Sequence, residues 1–388
     1  GFYNYKFYNK ILLIKMNNKI EFNKPFTSNK DKKYINDIFK NNKFADGFFQ
    51  KKCENFIKKK VNSQFIALTQ NCTSSLEISM ILLNLKKDDE VIMPSYTFTS
   101  TANAVLLRGA KPVFADVNLH DANLNYESVR KKINKRTKAI IVVHYAGNSC
   151  DMQKFLELKR QHNLILIEDC AHSFMGKFKN QFLGTIGDFG TFSFHETKNL
   201  VGGQCGAISI NDKKYVKRAK IILDKGTDRA FIGNKKRYYS WKDIGSEFRS
   251  AELPAALLYS QLMKLETIMK RRKIISETYK KNLRSLKNRK FEIIKHNLKN
   301  KSAHHVFALI FNSLRLRESF IKYMKKKKIL CYFHYYPLHI SSFGKKFNRT
   351  QMRNTDKIYN GLVRLPLYPG LKKTELSRII KEVKKFNL

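Results

Sequence analysis

Two stretches decide the fold: Lys138-Ala-Ile-Ile-Val-Val-His144 and Leu164-Ile-Leu-Ile-Glu168, with an amphipathic stretch over 151–162 between them. Both are continuously apolar rather than alternating, as a strand must be when both its faces are buried. A helix-length connection between two such strands gives a parallel pair with a crossover, because antiparallel neighbours need only a short turn. Working outward, the same alternation recurs. Strands are expected at 64–69, 90–93 and 112–116, with helices at 74–85, 98–108 and 126–134. Helices at 30–41 and 47–60 precede them, and strands at 189–194 and 205–210 follow. The pattern predicts an α/β unit with a mostly parallel sheet covered on both faces.

The texture changes after about residue 250. A long helical stretch, 251–285, leads to a strand at 305–311, a helix at 316–328, a strand at 330–334 and a terminal helix at 374–386. This reads as a smaller α+β domain. The expected division is 1–20 as an N-terminal extension with Met16 a candidate start, 21–250 as the large domain, and 251–388 as the long helix and small domain.

Composition narrows the class. No apolar run approaches the roughly 20 residues that cross a bilayer, and Ile11 to Ile14 is too short for a secretory core. The six cysteines form no CxxC pair or His-Cys cluster, so neither a disulfide framework nor a metal site is expected and a cytoplasmic setting is the simplest. Lys+Arg number 76 against 31 Asp+Glu, an excess of 45. The basic residues are scattered through the whole chain, and Asn and Ile are also abundant. That is compositional drift rather than a nucleic-acid stripe, so no specific nucleic-acid partner is expected. An anionic small substrate gains from the field.

Four segments carry chemistry. In Thr191-Phe-Ser-Phe-His-Glu-Thr-Lys198 an apolar strand ends in a polar turn holding one lysine. A lysine desolvated there is a neutral amine and a nucleophile, although taken alone it is also an ordinary turn lysine. In Ile167-Glu-Asp-Cys-Ala-His172, Asp169 stands at the carboxyl end of a buried strand, where ligands gather in such sheets. Its carboxylate can hold a ring nitrogen protonated or cap the next turn. Gln70-Asn-Cys-Thr-Ser-Ser75 joins a strand to a helix and offers hydroxyls and N–H groups to a phosphate, or caps the helix. Phe98, in Pro94-Ser-Tyr-Thr-Phe98, can stack on a flat ligand or belong to the core.

In this order the segments PSYTFTSTANA, IEDCAH and SFHETKN resemble the DegT–DnrJ–StrS sugar aminotransferases, from about Glu21 to the C-terminus. The resemblance implies the pyridoxal-phosphate-dependent transferase fold of type I, aspartate aminotransferase-like, with a mostly parallel seven-stranded sheet in its large domain. It implies pyridoxal 5'-phosphate (PLP) carried on Lys198, with Asp169 at the pyridine nitrogen and His172 near the phenolic oxygen. Phe98 is then the stacking ring, and Thr73, Ser74 and Ser193 hold the phosphate. His334, Tyr335 and His339 become substrate contacts, with His305 a further candidate. The segments FHETKN, KGTDR, YSWKDIGS, FHYYPLH and RLPLYPG are most similar to the branch that makes dTDP-4-amino-4,6-dideoxygalactose. That branch implies a nucleotide-linked keto sugar as acceptor, L-glutamate as donor and a homodimer. The intact Lys198 disfavours the related dehydratases, which carry His in its place. One position departs from the family: Glu247 stands in Gly245-Ser-Glu-Phe-Arg249 where many relatives have an Asn that reaches the partner's phosphate. A carboxylate would repel that phosphate; Arg249 is a candidate substitute.

Overall fold

The computed structural model describes residues 19–45, 47–232, 238–286, 290–295, 300–347 and 350–387; the expectations for residues 1–18 lie outside them. The main sheet is formed by β1 (Phe65–Thr69), β2 (Glu90–Pro94), β3 (Lys111–Ala115), β4 (Thr137–Val143) and β5 (Ile165–Cys170). A two-stranded hairpin, β6 (Lys177–Phe178) and β7 (Gln181–Phe182), intervenes before β8 (Phe189–Ser193) and β9 (Gly206–Ile210) complete it. The seven strands lie in the order β1-β9-β8-β5-β4-β2-β3. β9 alone runs against its neighbours, and the other pairs are parallel.

Register positions the site. Val143 pairs with Asp169, and Asp169 with Thr191. The carboxyl ends of β4, β5 and β8 therefore finish along one rim, the edge of an α/β sheet where crossovers leave a crevice. One face is packed by Ile57, Phe155 and Leu158 from flanking helices, the other by Leu76, Val105 and Ile222. Both faces are dry, which is why β4 and β5 carry no polar alternation.

A second, three-stranded antiparallel sheet comprises β10 (Phe291–Ile293), β11 (Phe307–Phe311) and β12 (Leu362–Leu365), in that order. It has its own core, including Leu309, Phe320, Met324 and Val363.

Four expectations are corrected. The stretch 251–285 is two helices, Glu252–Met263 and Leu265–Arg284, broken at Lys264, whose amine pairs with Asp31 at 2.6 and 2.8 Å. The helix expected over 126–134 is a single turn, Tyr126–Arg130. The strand expected at 330–334 is not one. Only Tyr332 bridges, to Arg364, and the chain then leaves the sheet. Ile20, assigned to the extension, is buried and pairs with the small unit through Lys328 and Leu330.

Candidate active site

The rim of the main sheet opens into a cavity of about 800 Å³. Its floor takes Val143, Asp169 and Ser193 from the strand ends, and Lys198 from the turn after β8. Burial pulls the Lys198 amine down to about 8, against the opposing pull of Cys72 and Asp169. Most of this amine is therefore neutral in mildly alkaline water, unlike a surface lysine. Burial also pushes the Asp169 carboxyl up, although it accepts hydrogen bonds from the Ala171 N–H at 3.0 Å and the Thr101 hydroxyl at 3.1 Å. Among the described residues it is the sole carboxylate lining the cavity. A buried carboxylate with two donors and raised affinity for a proton is suited to a bound cation such as a protonated ring nitrogen.

One end of the floor is the N-terminus of the helix Cys72–Leu82. Asn71 caps it, its side-chain oxygen accepting from the Ser74 N–H at 2.9 Å. Thr73 lines the cavity and its hydroxyl lies 2.7 Å from that of Ser100. Ser74 does not line it. Its hydroxyl turns back to Asn71 at 3.2 Å, so the expected phosphate contact through that hydroxyl is replaced by capping. Phe98 stands at the cavity and is 60% exposed, leaving a ring face for a planar ligand.

The opposite wall comes from the second half of the chain. His305, His334 and Tyr335 all line the cavity. His172 stacks near them, its Nε2 lying 3.1 Å from the Tyr335 hydroxyl, while its buried Nδ1 has no partner. Burial drives the three imidazoles well below their usual range, so they are neutral at physiological pH. Asn199 orients His305: its amide donates to the Ala303 carbonyl at 2.7 Å, and its oxygen takes the His305 Nδ1–H at 2.8 Å. The His305 Nε2 is then an acceptor. The wall presses on the floor at Gly147, whose φ is +88°. A Cβ there would sit 3.0 Å from the His172 carbonyl and 3.1 Å from the Ala303 methyl.

His339 is corrected. It lies outside the cavity lining, with Nδ1 2.7 Å from the Ser95 hydroxyl and Nε2 3.2 Å from the Asp356 carboxylate. It fastens the 338–340 turn to Ser95, the residue after β2, and does not face the cavity. Glu247 forms an ion pair with Lys225, and Arg249 lies 3.8 Å from Glu54; both line a second cavity that shares Asn71 and Gln204 with the first. A metal-like cluster of His144, Glu168 and Cys170 is already satisfied. The His144 Nδ1 accepts the Cys150 N–H, so its Nε2–H donates to Glu168, which also takes the N–H groups of Gly184, Ile186 and Gly187.

Residues 25–384 match the model of the DegT/DnrJ/EryC1/StrS aminotransferase family. The chain belongs to that family. It is a PLP-dependent sugar-nucleotide aminotransferase. Among the family's members, an uncharacterized protein of Methanocaldococcus jannaschii is 33% identical over 344 residues, covering 86% of this chain and 89% of that protein. GDP-perosamine synthase of Escherichia coli O157:H7 is 28% identical, with 93% and 97% covered. The fold superposes on Helicobacter pylori PseC, an aminotransferase involved in pseudoaminic acid biosynthesis, with a TM-score of 0.88, 24% identity, and 95% and 99% covered.

Two charged cavity residues escaped the sequence reading. Arg272 is buried in the helix Leu265–Arg284 and holds the carbonyls of His304 and His305 at 3.0 and 2.7 Å. It interrupts the apolar stripe Ile268, Ile275, Tyr279, a legible signal at helical spacing. Arg364 sits on β12, a strand the sequence reading did not find.

Proposed function

We propose that this chain moves the amino group of L-glutamate to C4 of dTDP-4-keto-6-deoxy-D-glucose, giving dTDP-4-amino-4,6-dideoxy-D-galactose for a bacterial surface polysaccharide. The supporting observation is the pairing on one floor of an amine lowered to about 8 with a lone buried carboxylate. When bound, PLP supplies an electron sink for the carbanion chemistry of transamination. The chain supplies the rest. Lys198 would carry the cofactor, and its Nζ would take a proton from the donor carbon and return one to the sugar carbon. Asp169 keeps the ring nitrogen protonated. Thr73, Ser193 and the helix N-terminus hold the phosphate, Phe98 covers one ring face, and the unpartnered His172 Nδ1 bonds the phenolic oxygen. His305, His334 and Tyr335 contact the sugar nucleotide. The active form is a cytoplasmic homodimer, with the second cavity beside Asn71 at the subunit boundary.

The dTDP sugar rests on the branch-like segments FHETKN, YSWKDIGS and FHYYPLH. A GDP-linked keto sugar is the second reading, favoured by the GDP-perosamine synthase relative. Incubating the holoenzyme with glutamate and each keto sugar, then locating the amine by NMR couplings, separates them. An axial amine at C4 of the dTDP sugar is expected. An amine at C3, an equatorial C4 amine, or preference for the GDP sugar would overturn the specific substrate.

A further inference from the structure

The cavity lining holds three non-histidine cations among the described residues: Lys198, Arg272 and Arg364. Lys198 belongs to the cofactor on the reading above, and Arg272 gives its Nε–H and Nη2–H to backbone carbonyls. Arg364 is different. On β12 the neighbours Val363 and Leu365 turn into the core of the small sheet, while Leu362 packs beside Tyr96, Tyr145 and Tyr335. Strand alternation puts Arg364 on that second face, at the cavity. One nitrogen, Nη2, donates to the Phe333 carbonyl at 3.1 Å, and the plane lies over the Phe22 ring with 4.7 Å to its centroid. Nε is buried and has no partner. An unpartnered buried donor on a guanidinium is costly unless something fills it, and a planar fork matches a carboxylate best.

We propose that Arg364 anchors the α-carboxylate of the amino donor. This rests on the reading that the chain takes its amine from an amino acid. The donor's carboxylate is one bond from the reacting carbon, so its partner must share the space around Lys198. Arg364 meets that condition, since it lines the same cavity as Lys198, His172 and His334. The diphosphate of a sugar nucleotide is instead attached at C1, across the ring from C4. Among the described residues Asp169 is the only carboxylate in the lining, so no second carboxylate there competes for the guanidinium.

The two half-reactions test this separately on the holoenzyme, followed by cofactor absorbance. In Arg364→Gln the glutamate concentration for half-maximal rate should rise about 10²-fold, the scale of losing one partner of a buried charge pair. Arg364→Lys should recover part of that loss. The half-reaction with the keto sugar should stay within about threefold of wild type. An amine without an α-carboxylate, 4-aminobutyrate, should react equally poorly with wild type and variant. Loss confined to the sugar half-reaction would assign Arg364 to the diphosphate, and an equal loss in both halves would make it a structural residue; either overturns the proposal. Such results leave the transaminase reading intact. A wild type that no amino acid converts would overturn that reading, and this one with it.

Discussion

The cavity floor takes Val143, Asp169 and Ser193 from the ends of three neighbouring strands, whereas the wall takes His305, His334 and Arg364 from three separate stretches of the chain's second half. On the floor, register does the positioning: strands held in a dry parallel sheet fix where their last residues stand. On the wall, position depends on side-chain bonds such as Asn199 to His305 and on buried Arg272 holding the backbone at 304–305. The floor is thus rigid by secondary structure and the wall by tertiary contacts. Chemistry common to many substrates fits the first, and recognition of one substrate fits the second.

If the floor carries the reaction, its variants should show the largest losses. Lys198→Ala should lower turnover by roughly 10⁴-fold, the upper range for a positioned proton-transfer group, and abolish the borohydride-trappable cofactor bond. Mass spectrometry placing trapped cofactor on another peptide would break the contrast. Asp169→Ala should retain some cofactor and lose roughly 10²-fold in rate, read in single-turnover kinetics. Near wild-type turnover would reduce Asp169 to the cap of its turn.

The amine's environment gives a smaller effect. Because burial lowers the Lys198 pKa to about 8, its neutral form predominates above that pH. The rate of PLP capture by cofactor-free protein should rise about tenfold between pH 6 and pH 7 and level off above about 8, since only the neutral amine attacks. A rate still climbing at pH 10 would show a solvated lysine. The smallest effect belongs behind the wall. His339→Gln should leave the apparent substrate affinity within about threefold while costing about 1–2 kcal/mol in urea denaturation, for the lost bond to Ser95 and the lost contact with Asp356. A large change in affinity with unchanged stability would return His339 to the substrate.

The same contrast explains what could be read in advance. β4 and β5 were legible because burial on both faces leaves a continuous apolar run, and Asp169 and Lys198 drew attention because one ends such a strand and the other stands in the turn after one. The wall offered no such rule. The stretch 330–334 read as a strand, and its aromatic residues favour sheets, yet Phe333 and His334 line the cavity instead. β12 was missed because it has four residues and follows the helix Arg353–Gly361 with no turn between them. Without that strand, the alternation that turns Arg364 inward could not be seen. Ser74 and His339 were assigned to ligands by the family resemblance, whereas the Ser74 hydroxyl turns to Asn71 and the His339 Nδ1 to Ser95.

The seam at Gly147 sets a limit on how this molecule can vary over generations. The chain is rich in lysine and asparagine, and exchanges at exposed positions usually change stability little. Position 147 is different. A side chain there would meet the backbone of His172 on one side and residues 303–305 on the other, and the left-handed backbone adds strain. One missing methyl group sets the clearance between the cavity's floor and its wall. If the wall selects the sugar as proposed, its residues can change with the substrate only while position 147 keeps no side chain.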